Sequence, residues 1–142
     1  WSQYRIDMTK YTDQQVQQEF YDGNVTFAGY GYDLLTYLYD NMDSYSELIE
    51  NMKKSSGGQY LKKYITQYDV AHKYGSYNGY VHDYGIVFGE TTYLIGVYTK
   101  GVTSADELIA DISQDVLNTV EGIDGTEESP NGNVTNEINT EL

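Results

Sequence analysis

Residues 69–101 read DVAHKYGSYNGYVHDYGIVFGETTYLIGVYTKG, and this stretch decides the fold. Three runs rich in β-branched and aromatic residues lie close together in it. The spacing predicts a first strand over Asp69–Lys73, broken by Gly75, a second over Tyr80–Phe88 and a third over Thr91–Thr99. Gly89-Glu90 makes a tight turn between the last two. Strands joined this closely form an antiparallel meander, because a parallel pair needs a longer crossover. One residue fits poorly: a lysine, Lys73, stands at the end of an apolar run.

The meander is flanked by helical patterns. Behind it, Ser104-Ala-Asp-Glu107 has the form of a capping box, and Leu108, Ile109, Ile112, Val116, Leu117 and Val120 make a helical stripe. That stripe needs an apolar partner, which the sheet can supply. Ahead of it, Leu34, Leu35 and Leu38 share a helical face, and Asn41 and Asp43 end that helix. A second capping box, Ser44-Tyr-Ser-Glu47, opens a helix to about Lys54 with Leu48, Ile49 and Met52 inside. Asp13–Phe20 is a short helix closed by Gly23, Asn24 and Gly29, and Tyr60–Ile65 is a helical turn. The fold class expected is α+β: a three-strand antiparallel meander packed against a long C-terminal helix and preceded by helices. Residues 1–120 form one domain, with a polar lead-in to 29, a helical part over 30–65 and the sheet plus final helix over 66–120. Residues 121–142, polar and acidic and holding the sole proline, read as a disordered tail.

Composition excludes several functions. The 142 residues carry a formal net charge of −14. Residues 1–120 hold 16 acidic and 8 basic side chains, so the domain is acidic without its tail. A nucleic-acid partner needs clustered Lys and Arg, and anionic lipid needs a basic patch. Neither is present. There is no cysteine, hence no disulfide or thiolate chemistry, and two histidines make no zinc cluster. No metal or other cofactor is expected. No run approaches the ~20 apolar residues of a membrane span. The 17 tyrosines are read as packing, with a carbohydrate or peptide platform as the alternative.

With the order helix, helix, meander, long helix established, Val70-Ala-His-Lys-Tyr-Gly-Ser76 resembles the third motif of the penicillin-recognising serine hydrolases. These are the serine β-lactamases and D-Ala-D-Ala peptidases. Asp83–Val87 and Tyr93–Gly101 resemble the next two strands of that fold, Ala105–Val120 its closing helix and residues 30–54 the preceding helix pair. The likeness covers residues 28–120 and concerns the C-terminal half of that domain. It implies catalytic roles for Lys73 and for the Ser76 backbone amide, an oxyanion donor. It implies substrate contacts for His72, Tyr74 and Gly75. It further implies a β-lactam or cell-wall peptide as small-molecule partner, and an extracellular, bacterial cell-surface setting.

Three departures accompany the likeness. Tyr74 stands where the motif has Thr or Ser, so its hydroxyl lies farther out. None of the serines at 2, 44, 46, 55, 56, 76, 104, 113 and 129 has a lysine three residues later, so Ser-x-x-Lys is missing. Ser76-Tyr-Asn78 has the form of the second motif but follows the third directly, and Glu19 is the one glutamate in residues 1–29. The expectation is therefore a C-terminal piece of a longer acyl-transfer hydrolase, inactive alone, whose remaining half is its partner. The start at Trp1 rather than Met reads as that of a processed, engineered or fragmentary chain. The alternatives are an inactive binding or structural module derived from that fold, or an unrelated α+β domain whose strands do not form one sheet. His82 and Asp83, adjacent on a strand, face opposite ways and form no dyad.

Overall fold

A computed structural model describes residues 8–10, 12–16, 27–55 and 59–123 of the chain. Its elements are α1 (Asp13–Val16), α2 (Ala28–Asp40), α3 (Ser46–Lys53), β1 (Asp69–Tyr77), β2 (Tyr80–Phe88), β3 (Thr92–Lys100) and α4 (Ala105–Val120). A short 3-10 turn, Tyr60–Lys62, precedes β1. The protein is α+β, and the three strands form one antiparallel sheet in the order β1-β2-β3. The rest of the expected Asp13–Phe20 helix and tail residues 124–142 lie outside the described residues.

The sheet is covered on both faces at the end near Asp69. One face carries Val70, Val87 and Ile95, which pack with Leu61 and Ile65 against Ile109 and Leu117 of α4. This is the contact the α4 stripe required. The other face carries Ala71 and Phe88, which pack on Leu38, Ile49 and Met52 of α2 and α3. Side chains alternate along a strand, so residues two apart share a face. Lys73, Gly75 and Tyr77 of β1 therefore lie on the α2/α3 face, and His72, Tyr74 and Ser76 on the α4 face.

Gly75 does not break β1. The turn falls at Asn78-Gly79, where both residues have positive φ, +48° and +78°. That pair of conformations makes a two-residue type I′ hairpin, whose twist matches the flanking strands. The Gly79 carbonyl also accepts a hydrogen bond from Gly101 N–H at 2.7 Å, tying the hairpin to the end of β3.

Neither capping box forms as expected. Ser44 lies inside a 3-10 turn, Met42–Tyr45, and α3 starts only at Ser46 with Tyr45 at its N-cap. The Tyr45 ring packs edge-on to Tyr37 at 5.8 Å, which anchors the chain one residue later than the pattern suggested. Ser104 does precede α4, but with φ +57° and no side-chain cap. Glu107 turns outward instead, pairing with Lys63 and accepting a bond from the Tyr64 hydroxyl at 3.0 Å. Lys63 and Tyr64 together hold the Glu107 carboxyl below its ordinary range. Leu48 and Leu108 are exposed, off the buried stripes of their helices. Gly29 falls within α2.

Two β3 tyrosines have phenols pushed up to about 12, mainly by burial, with the Glu121 charge adding at Tyr93 and Tyr84 at Tyr98. A phenol harder to ionise when folded contributes stability below its unfolded value near 10, and that contribution is lost as pH rises toward the folded value. Phenolate absorbance should show these two groups resisting ionisation until about pH 12, and the urea midpoint should fall between pH 10 and 12.

Candidate active site

The site is built on β1, an edge strand of the sheet, and its geometry begins with a buried pair beside it. His72 and Asp83 are both fully buried, and His72 Nδ1 lies 2.7 Å from Asp83 Oδ2. His72 Nε2 lies 3.0 Å from the Ser55 carbonyl, which can only accept, so this nitrogen donates. Nδ1 and Asp83 Oδ2 share a hydrogen bond, while Asp83 Oδ1 is buried without a partner. Asp83 Oδ2 also accepts the Leu61 N–H at 3.1 Å, and the Leu61 carbonyl accepts from the Ser113 hydroxyl at 2.9 Å. One connected polar group links the end of α3, the 3-10 turn, the sheet and α4.

The register explains how two residues eleven apart meet. His72 faces Gly85 across the hairpin, and Tyr74 faces Asp83, so His72 and Asp83 are diagonal neighbours on one face. Gly85 is required here for space. A Cβ at this position would lie 2.5 Å from the Ala71 carbonyl oxygen and 2.8 Å from His72 Cβ.

Sliding β1 by one residue would put His72 in solvent and bury Lys73. The buried pair therefore determines which way Lys73 points. Lys73 is exposed, its Nζ lies 5.0 Å from the Tyr74 ring centre, and it donates to the Tyr74 carbonyl. No acid pairs with it among the described residues. Its charge is available to an anionic group arriving from solvent.

Tyr74 turns to the opposite face and stacks on Tyr60, ring centres 4.7 Å apart and planes within 16°. Burial and the neighbouring Tyr74 raise the Tyr60 phenol. Gly75 is exposed, and a Cβ there would meet nothing within 4 Å. The fold does not need a glycine at 75, whose bare edge leaves the backbone open to an approaching molecule. Ser76 is exposed, and its amide direction follows from the turn. A two-residue hairpin makes Tyr77 and Tyr80 a hydrogen-bonded pair, and such pairs alternate with non-bonded ones. Ser76, opposite Val81, falls in a non-bonded pair, so its N–H points away from β2 toward the free edge.

Of the sequence-derived residues, the structure thus gathers Lys73, Gly75 and the Ser76 amide on one open edge. His72 and Tyr74 lie on the other face, where His72 is enclosed and both its nitrogens are occupied by the chain itself. His82 is on the α2/α3 face and Asp83 on the other, as alternation requires. Sequence reasoning missed the His72–Asp83 pair. Its signal was Asn78-Gly79, which sets the register that brings the two together. No serine hydroxyl bonds a lysine ammonium among the described residues.

A family model described as the Beta-lactamase enzyme family matches residues 5–120. The chain belongs to that family. No curated protein matches it.

Two outcomes follow from the buried pair. His72→Ala removes the buried partner of Asp83 and leaves a cavity, and should cost about 2–5 kcal/mol, read from urea unfolding. Gly85→Ala should destabilise by at least about 2 kcal/mol in the same measurement, because backbone rather than a flexible side chain must move.

Proposed function

We propose that this chain supplies the Lys-Tyr-Gly wall of an acyl-transfer site in a serine β-lactamase-like hydrolase acting on β-lactams or cell-wall peptides. The observation carrying this reading is the open edge at 73–76: an unpaired ammonium, a bare glycine and an outward amide within four residues. The ammonium attracts the substrate carboxylate. The Ser76 N–H stabilises the oxyanion that develops when a serine attacks the carbonyl, where a single donor typically contributes about 10²–10³ in rate. The nucleophile and its base come from a segment outside this sequence, since Ser-x-x-Lys is missing from it. Such a substrate implies an extracytoplasmic setting.

A second reading, an inactive binding module, is favoured by Tyr74. Its ring is committed to Tyr60 on the far face, so it cannot replace the hydroxyl that a Thr or Ser would offer a carboxylate.

Intact mass after exposure to a penicillin-type acylating probe separates these readings. The 142-residue chain alone should stay at 16.2 kDa. The same chain joined to an upstream half bearing Ser-x-x-Lys should gain one acyl group, and Lys73→Ala should slow that step about 100-fold. Gly75→Ala should slow it too while leaving the urea midpoint unchanged, since the added methyl meets nothing in the fold. An adduct on the chain alone would refute the division of the site. An inert joined protein would favour the binding module.

A further inference from the structure

Where α2 packs on the sheet, the two do not close completely. A cavity of about 180 Å³ lies between them, walled by Leu35 of α2, Tyr84 of β2, and Leu94, Gly96 and Tyr98 of β3. Ala28 and Tyr32, exposed residues of α2, also line it, so it opens to solvent on the helix side. Two glycines shape it. Gly31 lets the end of the Tyr98 ring reach the helix, since a Cβ there would lie 2.1 Å from Tyr98 Oη. Gly96 faces Tyr84 in the register, and the Tyr84 and Tyr98 rings stack at 6.4 Å with planes 9° apart. A Cβ at 96 would press on both, 3.4 Å from Tyr84 Cβ and 3.2 Å from Tyr98 Cε2.

The walls decide what such a cavity can hold. They are aliphatic side chains, two aromatic rings and glycine backbone, and no lining side chain is charged. A charged ligand would leave water with no countercharge to meet. The Tyr98 hydroxyl is buried, and among the described residues it has no hydrogen-bond partner. An unpaired buried hydroxyl is costly and rare, and it points to an acceptor supplied from outside. Burial, with Tyr84 adding, pushes this phenol up to about 12, so at neutral pH it keeps its proton to donate. Water alone is a poor occupant. A buried water makes two to four hydrogen bonds, and Tyr98 is the one lining side chain whose buried polar atom stands unpaired. Size sets the rest. An apolar cavity of about 150 Å³ takes up one benzene ring. The slightly larger volume here holds a single ring with a short substituent.

We propose that this cavity binds a neutral, single-ring aryl carbonyl compound, with its ring against Leu35 and Leu94 and its carbonyl oxygen on the Tyr98 hydroxyl. Lys73 takes no part in it. The proposal does not rest on acyl transfer, so failure of either reading leaves the other standing.

Nuclear magnetic resonance of the 142-residue chain, titrated with acetophenone, tests it. The resonances of Leu35, Leu94, Tyr84 and Tyr98 should shift saturably, and those of Val70 and Leu117 in the α4 core should not. α-Methylstyrene has the same shape, with a methylene in place of the carbonyl oxygen, and should bind at least about fivefold more weakly. Benzoate, which has the ring and a charge, should not bind. Tyr98→Phe should bring acetophenone down to the affinity of α-methylstyrene and leave α-methylstyrene unchanged. The urea midpoint of that variant should hold or rise, because an unpartnered buried hydroxyl is removed. Ala28→Leu, at an exposed position of the mouth, should weaken both probes by the same factor without lowering the midpoint. Acetophenone and α-methylstyrene give the same comparison in the unaltered chain, should either variant fail to fold. No saturable shift, shifts centred on the α4 core, equal affinity for the two probes, binding of benzoate, a retained preference for acetophenone in Tyr98→Phe, or full affinity in Ala28→Leu would each overturn it.

Discussion

The buried hydrogen bond between His72 and Asp83 is the constraint on which the rest of the structure depends. Polar groups inside a protein are tolerated only where they find partners. Here His72 reaches Asp83 and the Ser55 carbonyl, and Asp83 also receives the Leu61 amide. Three chain segments must come together for that to hold. The pair permits one register of β1 on β2 and one face for each residue. It also places the chain after α3 against the sheet, and Ser113 extends the same connection to α4. A buried polar pair of this kind favours uniqueness, because its alternatives leave a buried polar group without a partner.

Uniqueness also fixes how the neighbouring residues meet solvent. Lys73, next to His72, is turned outward by the same alternation that turns His72 inward. Gly75 and the Ser76 amide follow on the free edge. The edge strand is normally a liability, since its unpaired amides invite another strand. Here the edge carries a lysine and a glycine, in a chain of the Beta-lactamase enzyme family, and leaves the Ser76 amide free to donate. Tyr74 is the residue that departs from this pattern. Its ring clamps Tyr60 and joins the motif strand to the 3-10 turn.

The two halves of the α2/α3 face differ in kind. Near Asp69 it is an ordinary core under α2 and α3. Beyond Lys73 its strand residues are mainly aromatic, and α2 packs over Tyr98 through Gly31. Tyrosine suits that division, because one ring can pack while its hydroxyl stays wet or waits for a partner. The abundance of tyrosine in the sequence therefore has two physical meanings. Tyr93 belongs with the α4 core, whereas Tyr77 and Tyr80 lie in solvent.

Local chemistry was enough to read the elements. The α4 stripe, the bounds of Tyr80–Phe88 and the leucines of α2 are periodicities written into the residues, and the Lys-Tyr-Gly triplet located the candidate edge. The ends of elements were less legible, because competing contacts decide them. Tyr45 packing on Tyr37 delayed α3, and Lys63 drew Glu107 away from its cap. By itself the sequence determined the α+β order, the meander, the acidity and the missing Ser-x-x-Lys. Only the tertiary structure decided that His72 is structural in its contacts, that Gly85 exists to admit it, that Ser76 points its amide outward and that Tyr98 lies unpaired beside a cavity. Those facts depend on what stands across a hairpin or beneath a helix, and a single residue's neighbours along the chain carry no record of that.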